Sequence, residues 1–203
     1  MAPPLMDGIS ETRLSSVQGL LADKIRLVAE AFLAQFPTDP LRVIQGFRSF
    51  DQQKHLWDEG RDAAGNVIDE GRIVTHAAPG HSWHEFGCAT DVCPSSLILI
   101  PGWSPNSARW QVLGTLGEAQ GLTWGGRWAK MKDLPHFQLT GKLPVSPDNA
   151  TRELYASGGV MSVWRAAGLL DPVGDPAIAP AGATAPATAI VASAATTDTS
   201  SSS

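Results

Sequence analysis

The stretch Gly80-His81-Ser82-Trp83-His84-Glu85-Phe86-Gly87-Cys88-Ala89-Thr90-Asp91 concentrates groups that bind metals and move protons. A second piece, Asp133-Leu134-Pro135-His136, adds another imidazole and another carboxylate. His84, Asp91 and His136 together make a ligand set for a catalytic zinc ion, which takes three protein ligands and leaves a fourth position for water. The spacing is not that of the H-E-x-x-H helix, whose two histidines lie one helical turn apart. Phe86-Gly87-Cys88-Ala89 is poor helix material, so His84 and Asp91 are expected to reach the metal from a loop and the strand after it. His81 is the strongest rival ligand, but it and His55 and His76 are read as structural.

These side chains need a scaffold to bring them together. Leu14, Val17, Leu21, Ile25, Val28 and Phe32 recur at three- and four-residue steps, which predicts one amphipathic helix from about Ser10 to Gln35, closed by Pro37. Leu41 to Phe47, with β-branched residues at its centre, reads as a strand. A turn through Gly46-Phe47-Arg48-Ser49 then opens a short helix running to about Gly60. Residues 58–80, rich in Gly, Asp and Ala, form a long connection, read as either one wall of a substrate groove or a solvated loop. Pro94 ends the strand that carries Asp91, and a brief apolar run from Leu97 to Pro101 follows.

A helix from about Ser107 to Gln120 is expected to pack through Trp110, Leu113 and Leu116, with Gly121 as its cap. Gly114 and Gly117 count against it, each costing up to ~1 kcal/mol relative to alanine. Of the tryptophans in Trp124-Gly125-Gly126-Arg127-Trp128, one is expected in the core. A last helix from Arg152 to Leu170 should break near Gly158-Gly159 and pack through Val160, Val163 and Trp164.

The chain has 203 residues, enough for one domain with a proper core. Its 15 Lys and Arg against 20 Asp and Glu form no basic run, so neither nucleic acid nor an anionic membrane is an expected partner. No apolar stretch approaches the ~18 residues of a membrane span, and Met1 to Gly8 has neither the basic start nor the apolar core of a secretory signal. Cys88 and Cys93 are the only cysteines. Buried free thiols are favoured over a disulfide, which would need the chain to turn back near Pro94. From Asp171 the composition shifts to Ala, Pro, Thr and Ser with three acids and no base, so residues 171–203 are expected to be disordered.

Ser82-x-His84-x-x-Gly87-x-Ala89-x-Asp91 followed by Asp133-x-Pro135-His136-Phe137 resembles the zinc peptidases that cut peptidoglycan stem peptides. Those are the D-alanyl-D-alanine carboxypeptidases and L-alanyl-D-glutamate endopeptidases, distant relatives of the hedgehog signalling domain. The resemblance covers roughly Val43 to Leu139. It implies an α+β fold, a small mainly antiparallel sheet packed with helices, occupying residues 1–170. It also implies Zn2+ on His84, Asp91 and His136, with Asp133 as general base. Arg48 matches an arginine that faces the active site, where a guanidinium would stabilise the oxyanion; outside this family the same residue would read as a surface partner of Asp51 or Glu59. Gln52 matches a glutamine expected to hold substrate, and Trp128 either lines the groove or joins the core. Ser82 has no Gly-x-Ser-x-Gly elbow, so it is expected to hydrogen-bond substrate or backbone. Glu85 reads as a surface residue.

The Asp-x-Pro-His form is more like the endopeptidase branch, implying cleavage of L-alanyl-D-glutamate bonds by a monomeric wall lysin, made in the host cytoplasm and released through a phage-type holin. The alternatives are a D,D- or L,D-carboxypeptidase and, in another class, a zinc-holding binding module without activity.

Overall fold

The computed structural model describes residues 6–100 and 104–170. The tail 171–203 and Pro101 lie outside the described residues. Two helices come first, α1 (Gly8–Leu14) and α2 (Gly19–Gln35), where the periodicity predicts one. The apolar stripe does not register the break, because Leu14, Val17 and Leu21 are buried on both sides of it. The break is made by tertiary contacts: the Gln18 backbone N–H donates to Gly87 O at 2.8 Å. Its side-chain oxygen accepts from Leu21 N at 3.0 Å, capping α2. The interruption therefore fastens the helical layer to the segment that carries His84.

Strand β1 (Leu41–Gln45) leads into α3 (Phe50–Asp58), whose first turn is closed reciprocally by Ser49 and Gln52. After the long connection come a 3-10 turn at Trp83–Phe86 and strand β2 (Ala89–Pro94). Then follow α4 (Ala108–Ala119), β3 (Thr123–Trp124), β4 (His136–Gln138) and α5 (Asn149–Ala167). The four strands form one antiparallel sheet in the order β1-β2-β4-β3. The fold is α+β, as expected. Helix α5 is interrupted at Gly158 and Gly159, where the sequence places the break.

One core lies between α1, α2, α4 and the sheet; a second gathers Trp83, Phe86, Tyr155 and Trp164 beneath α5. Gly114 and Gly117, which weaken α4 as an isolated helix, let it press on the sheet. A Cβ on Gly114 would lie 2.2 Å from the Trp124 ring, and one on Gly117 2.2 Å from Phe137. Trp124 is the core tryptophan, and its indole N–H donates to Leu134 O at 2.7 Å, fixing the loop before His136. Both cysteines are free and fully buried.

Candidate active site

Three elements deliver the candidate ligands. Asp91 on β2 and His136 on β4 are direct cross-strand partners, so their side chains share one face of the sheet. His84 arrives from the 3-10 turn, which ends at Gly87 with φ 65°; a side chain there would also meet Trp164 at 3.1 Å. The turn is held from behind, since Trp164 Nε1 donates to Phe86 O at 2.8 Å.

Hydrogen bonds on the far side of each ring decide which nitrogen is free. His84 Nδ1 lies 2.9 Å from Gly46 O, and a carbonyl only accepts, so Nδ1 carries the proton and Nε2 a lone pair. Gln138 donates from its NH2 to Val145 O at 2.9 Å, which turns its Oε1 toward His136 Nε2 at 3.1 Å. His136 Nε2 therefore donates, and Nδ1 is its free nitrogen. His84 Nε2 and His136 Nδ1 face each other at 3.3 Å. Asp91 Oδ1 sits 3.2 Å from the first and 3.3 Å from the second. With neutral rings, three electron pairs converge with no donor among them. Such a set is stable around a cation, and its outer hydrogen bonds are those that orient metal-binding histidines.

The charges agree. Burial alone would raise Asp91, but His84 and His136 hold it well below the usual carboxylate range. Burial would lower His136, but the Asp91 hydrogen bond and charge carry it above its ordinary value.

The cluster opens into a groove of about 850 Å3, lined also by Arg48, Ser82, Trp128 and Asp133. Trp128 packs beside His136, ring centres 5.0 Å apart. Burial, followed by the nearby Asp91 charge, raises the Asp133 carboxyl above its ordinary value. Gly125 permits its close approach, because a Cβ there would lie 2.6 Å from Asp133 O. The Arg48 guanidinium is lowered by burial against the opposing pull of Asp91, Glu85 and Asp133. Its Nε is buried with no hydrogen-bond partner among the described residues. An orphan donor beside three converging electron pairs is an invitation to a substrate oxygen.

The remaining expectations fall elsewhere. Gln52 does not line the groove: its side-chain oxygen accepts from Ser49 N at 2.9 Å in the α3 cap. His81 faces the groove but contacts Arg152, not the ligand cluster. Glu85, read as a surface residue, is fully buried. Both its oxygens accept from Gly80 N, at 2.9 and 3.0 Å, and one from Ser82 N at 3.1 Å. Backbone donors make its burial tolerable, although burial still pushes it up to about 7. The spacing Ser82-x-x-Glu85 is that of a capping box, a signal that could have marked it. Gln138 was legible in principle too, two residues beyond His136 and so on the same strand face. Gln53, fully buried beneath Arg48, had no signal within Asp51-Gln52-Gln53-Lys54.

Residues 75–139 match the profile of a family described as D-alanyl-D-alanine carboxypeptidase. The peptidoglycan L-alanyl-D-glutamate endopeptidase CwlK of Bacillus subtilis is 33% identical over 104 residues, 48% of this chain and 59% of that protein. The chain thus spans 59% of the length of that curated relative. The crystal structure of the Serratia marcescens L-Ala D-Glu endopeptidase ChiX is matched at 25% identity and a TM-score of 0.45, covering 68% of this chain and 91% of that one. The family resemblance carried by the Ser82–Asp91 and Asp133–Phe137 segments is borne out by the profile and by the curated relative.

Proposed function

We propose that this chain is a zinc peptidase that hydrolyses peptidoglycan stem peptides at the L-alanyl-D-glutamate bond. The observation that carries the reading is the convergence of His84 Nε2, His136 Nδ1 and Asp91 Oδ1 at 3.2–3.3 Å with no donor between them. A tetrahedral zinc with bonds of about 2.0–2.1 Å would set its ligands about 3.3 Å apart, so residue types and separations both fit. Bound there, zinc would supply a Lewis acid that lowers the pKa of water and polarises the scissile carbonyl.

The protein's own groups divide the remaining work. Asp133, its carboxyl raised above its ordinary value mainly by burial, takes the proton from the attacking water and passes it to the leaving amine. Arg48 turns its unpartnered Nε–H to the oxyanion that forms on the carbonyl. Trp128 and Ser82, on the groove wall, are the candidate substrate contacts. The choice of bond is supported by the Asp-x-Pro-His form and by the name of the Bacillus relative. On this reading the chain acts as a monomeric, bacteriolytic wall lysin released by a holin. No described helix is long and apolar enough to cross a membrane.

The test is a digest of purified peptidoglycan, with and without chelator and beside Asp133→Ala, read by product masses and new amino termini. New D-glutamate amino termini, lost in both controls, are expected. Released D-alanine would replace the bond assignment with carboxypeptidase action. No product from a zinc-loaded, folded sample would leave the binding module as the better reading.

A further inference from the structure

We propose that Gln53 is a positioning residue, which ties Arg48 to the groove wall so that the guanidinium presents its free Nε–H to the reacting carbonyl. The proposal rests on the peptidase reading above. Gln53 is fully buried on a helix whose neighbouring residues Asp51, Gln52, Lys54 and His55 are all exposed. A buried carboxamide left unpaired is costly, so its partners explain its place. Its Oε1 accepts from Arg48 Nη1 at 2.7 Å. Its Nε2 donates to Ala77 O at 2.7 Å, with Thr75 Oγ1 at 3.4 Å. Ala77 O can only accept, so the amide orientation is determined and its oxygen must face Arg48.

One side chain thus joins the turn after β1 to Thr75–Ala77, part of the groove wall. With Nη1 held by Gln53, Nε is the buried donor that remains without a partner. Asp91, Glu85 and Asp133 all attract the same guanidinium. Without the Gln53 oxygen, Arg48 is free to swing toward these carboxylates. A guanidinium paired with Asp133 would take both the base and the oxyanion donor out of use.

The test measures kcat and KM on a soluble L-alanyl-γ-D-glutamyl peptide with zinc-loaded protein. Gln53→Met keeps the side-chain length but neither accepts nor donates. It should lower kcat about 10–100-fold, less than the roughly 10²–10³ of removing an oxyanion donor outright because Arg48 itself remains, with KM within about threefold. Gln53→Glu restores an acceptor for Nη1 and should recover much of that loss. In an Arg48→Ala background Gln53→Met should add less than about a twofold further loss, since the two residues act as one unit.

Wild-type kcat in Gln53→Met, or an undiminished loss in the Arg48→Ala background, would overturn the proposal. Should Gln53→Met fail to fold by circular dichroism, Gln53→Asn, one methylene too short for both contacts, must show the same pattern. If Arg48→Ala itself retains full kcat, the oxyanion reading falls; if only Arg48→Ala is impaired, this inference alone falls. A readout independent of turnover is the Arg48 Nε–H signal in 15N NMR. It should be sharp in the wild type and broadened in Gln53→Met, and an unchanged signal would count against the proposal.

Discussion

Replacing Gly117 by alanine sets two effects of opposite sign against each other. In an open helix the change gains up to ~1 kcal/mol from backbone entropy and propensity. Here the new Cβ would lie 2.2 Å from Phe137 Cε1 and 2.7 Å from Cδ1. Phe137 is fully buried, so its ring can move only by displacing other core atoms. Overpacking of this kind costs about 1–3 kcal/mol, and so deep an overlap belongs at the upper end. The net loss is then about 2 kcal/mol, or roughly 4–8 °C in Tm at about 2–4 °C per kcal/mol for a chain of this size. Phe137 directly follows His136, so the shifted ring should also weaken metal binding, and Tm should fall further in saturating zinc than in chelator. Gly19→Ala is the control. Gly19 opens α2 with nothing within 4 Å of its Cβ, so the same substitution should leave Tm unchanged or raised. Thermal melts of the two variants with and without zinc decide the matter. A Gly117→Ala protein as stable as the wild type would refute the close approach of α4 to the sheet.

Asp133→Asn should fold and bind metal normally while kcat falls by about 10²–10⁴, the contribution of a positioned general base; equilibrium dialysis and stem-peptide turnover check both halves. Metal occupancy should fall as pH is lowered. His136 in the metal-free site is held above its ordinary value, so the proton that must leave before a metal can bind is retained to higher pH. Zinc titrations at stepped pH would show affinity rising with pH, and a flat profile would contradict the assignment. Both cysteines should resist a thiol reagent in the native protein and react fully in denaturant. They are buried, and burial pushes each up to about 12.

Much of this architecture could be read in the sequence because its cause is local. β1, α4 and the broken α5 follow from periodicity and from glycine at the break. The ligand set showed itself because its residue types and order fall in two short segments, His84 to Asp91 and Asp133 to His136, with a second carboxylate beside them. What escaped was set by contacts between distant segments or by side chains turned back onto nearby backbone. The stripe through Leu14, Val17 and Leu21 cannot reveal that Gln18 N pairs with Gly87 O. A glutamate reads as surface until three backbone N–H bonds from Gly80 and Ser82 are seen to meet it. Gln52 and Gln53 are chemically identical neighbours. Only the helix phase sends one to the cap and the other beneath Arg48.

The central claim is that His84, Asp91 and His136 hold one catalytic zinc. It is tested most directly by adding zinc stepwise to chelator-stripped protein while following hydrolysis of a stem peptide. Activity should rise in proportion to zinc and level off at one equivalent per chain, and an Asp91→Ala variant should show no such rise. Full activity in the stripped protein, or an Asp91→Ala variant that titrates like the wild type, would contradict the account.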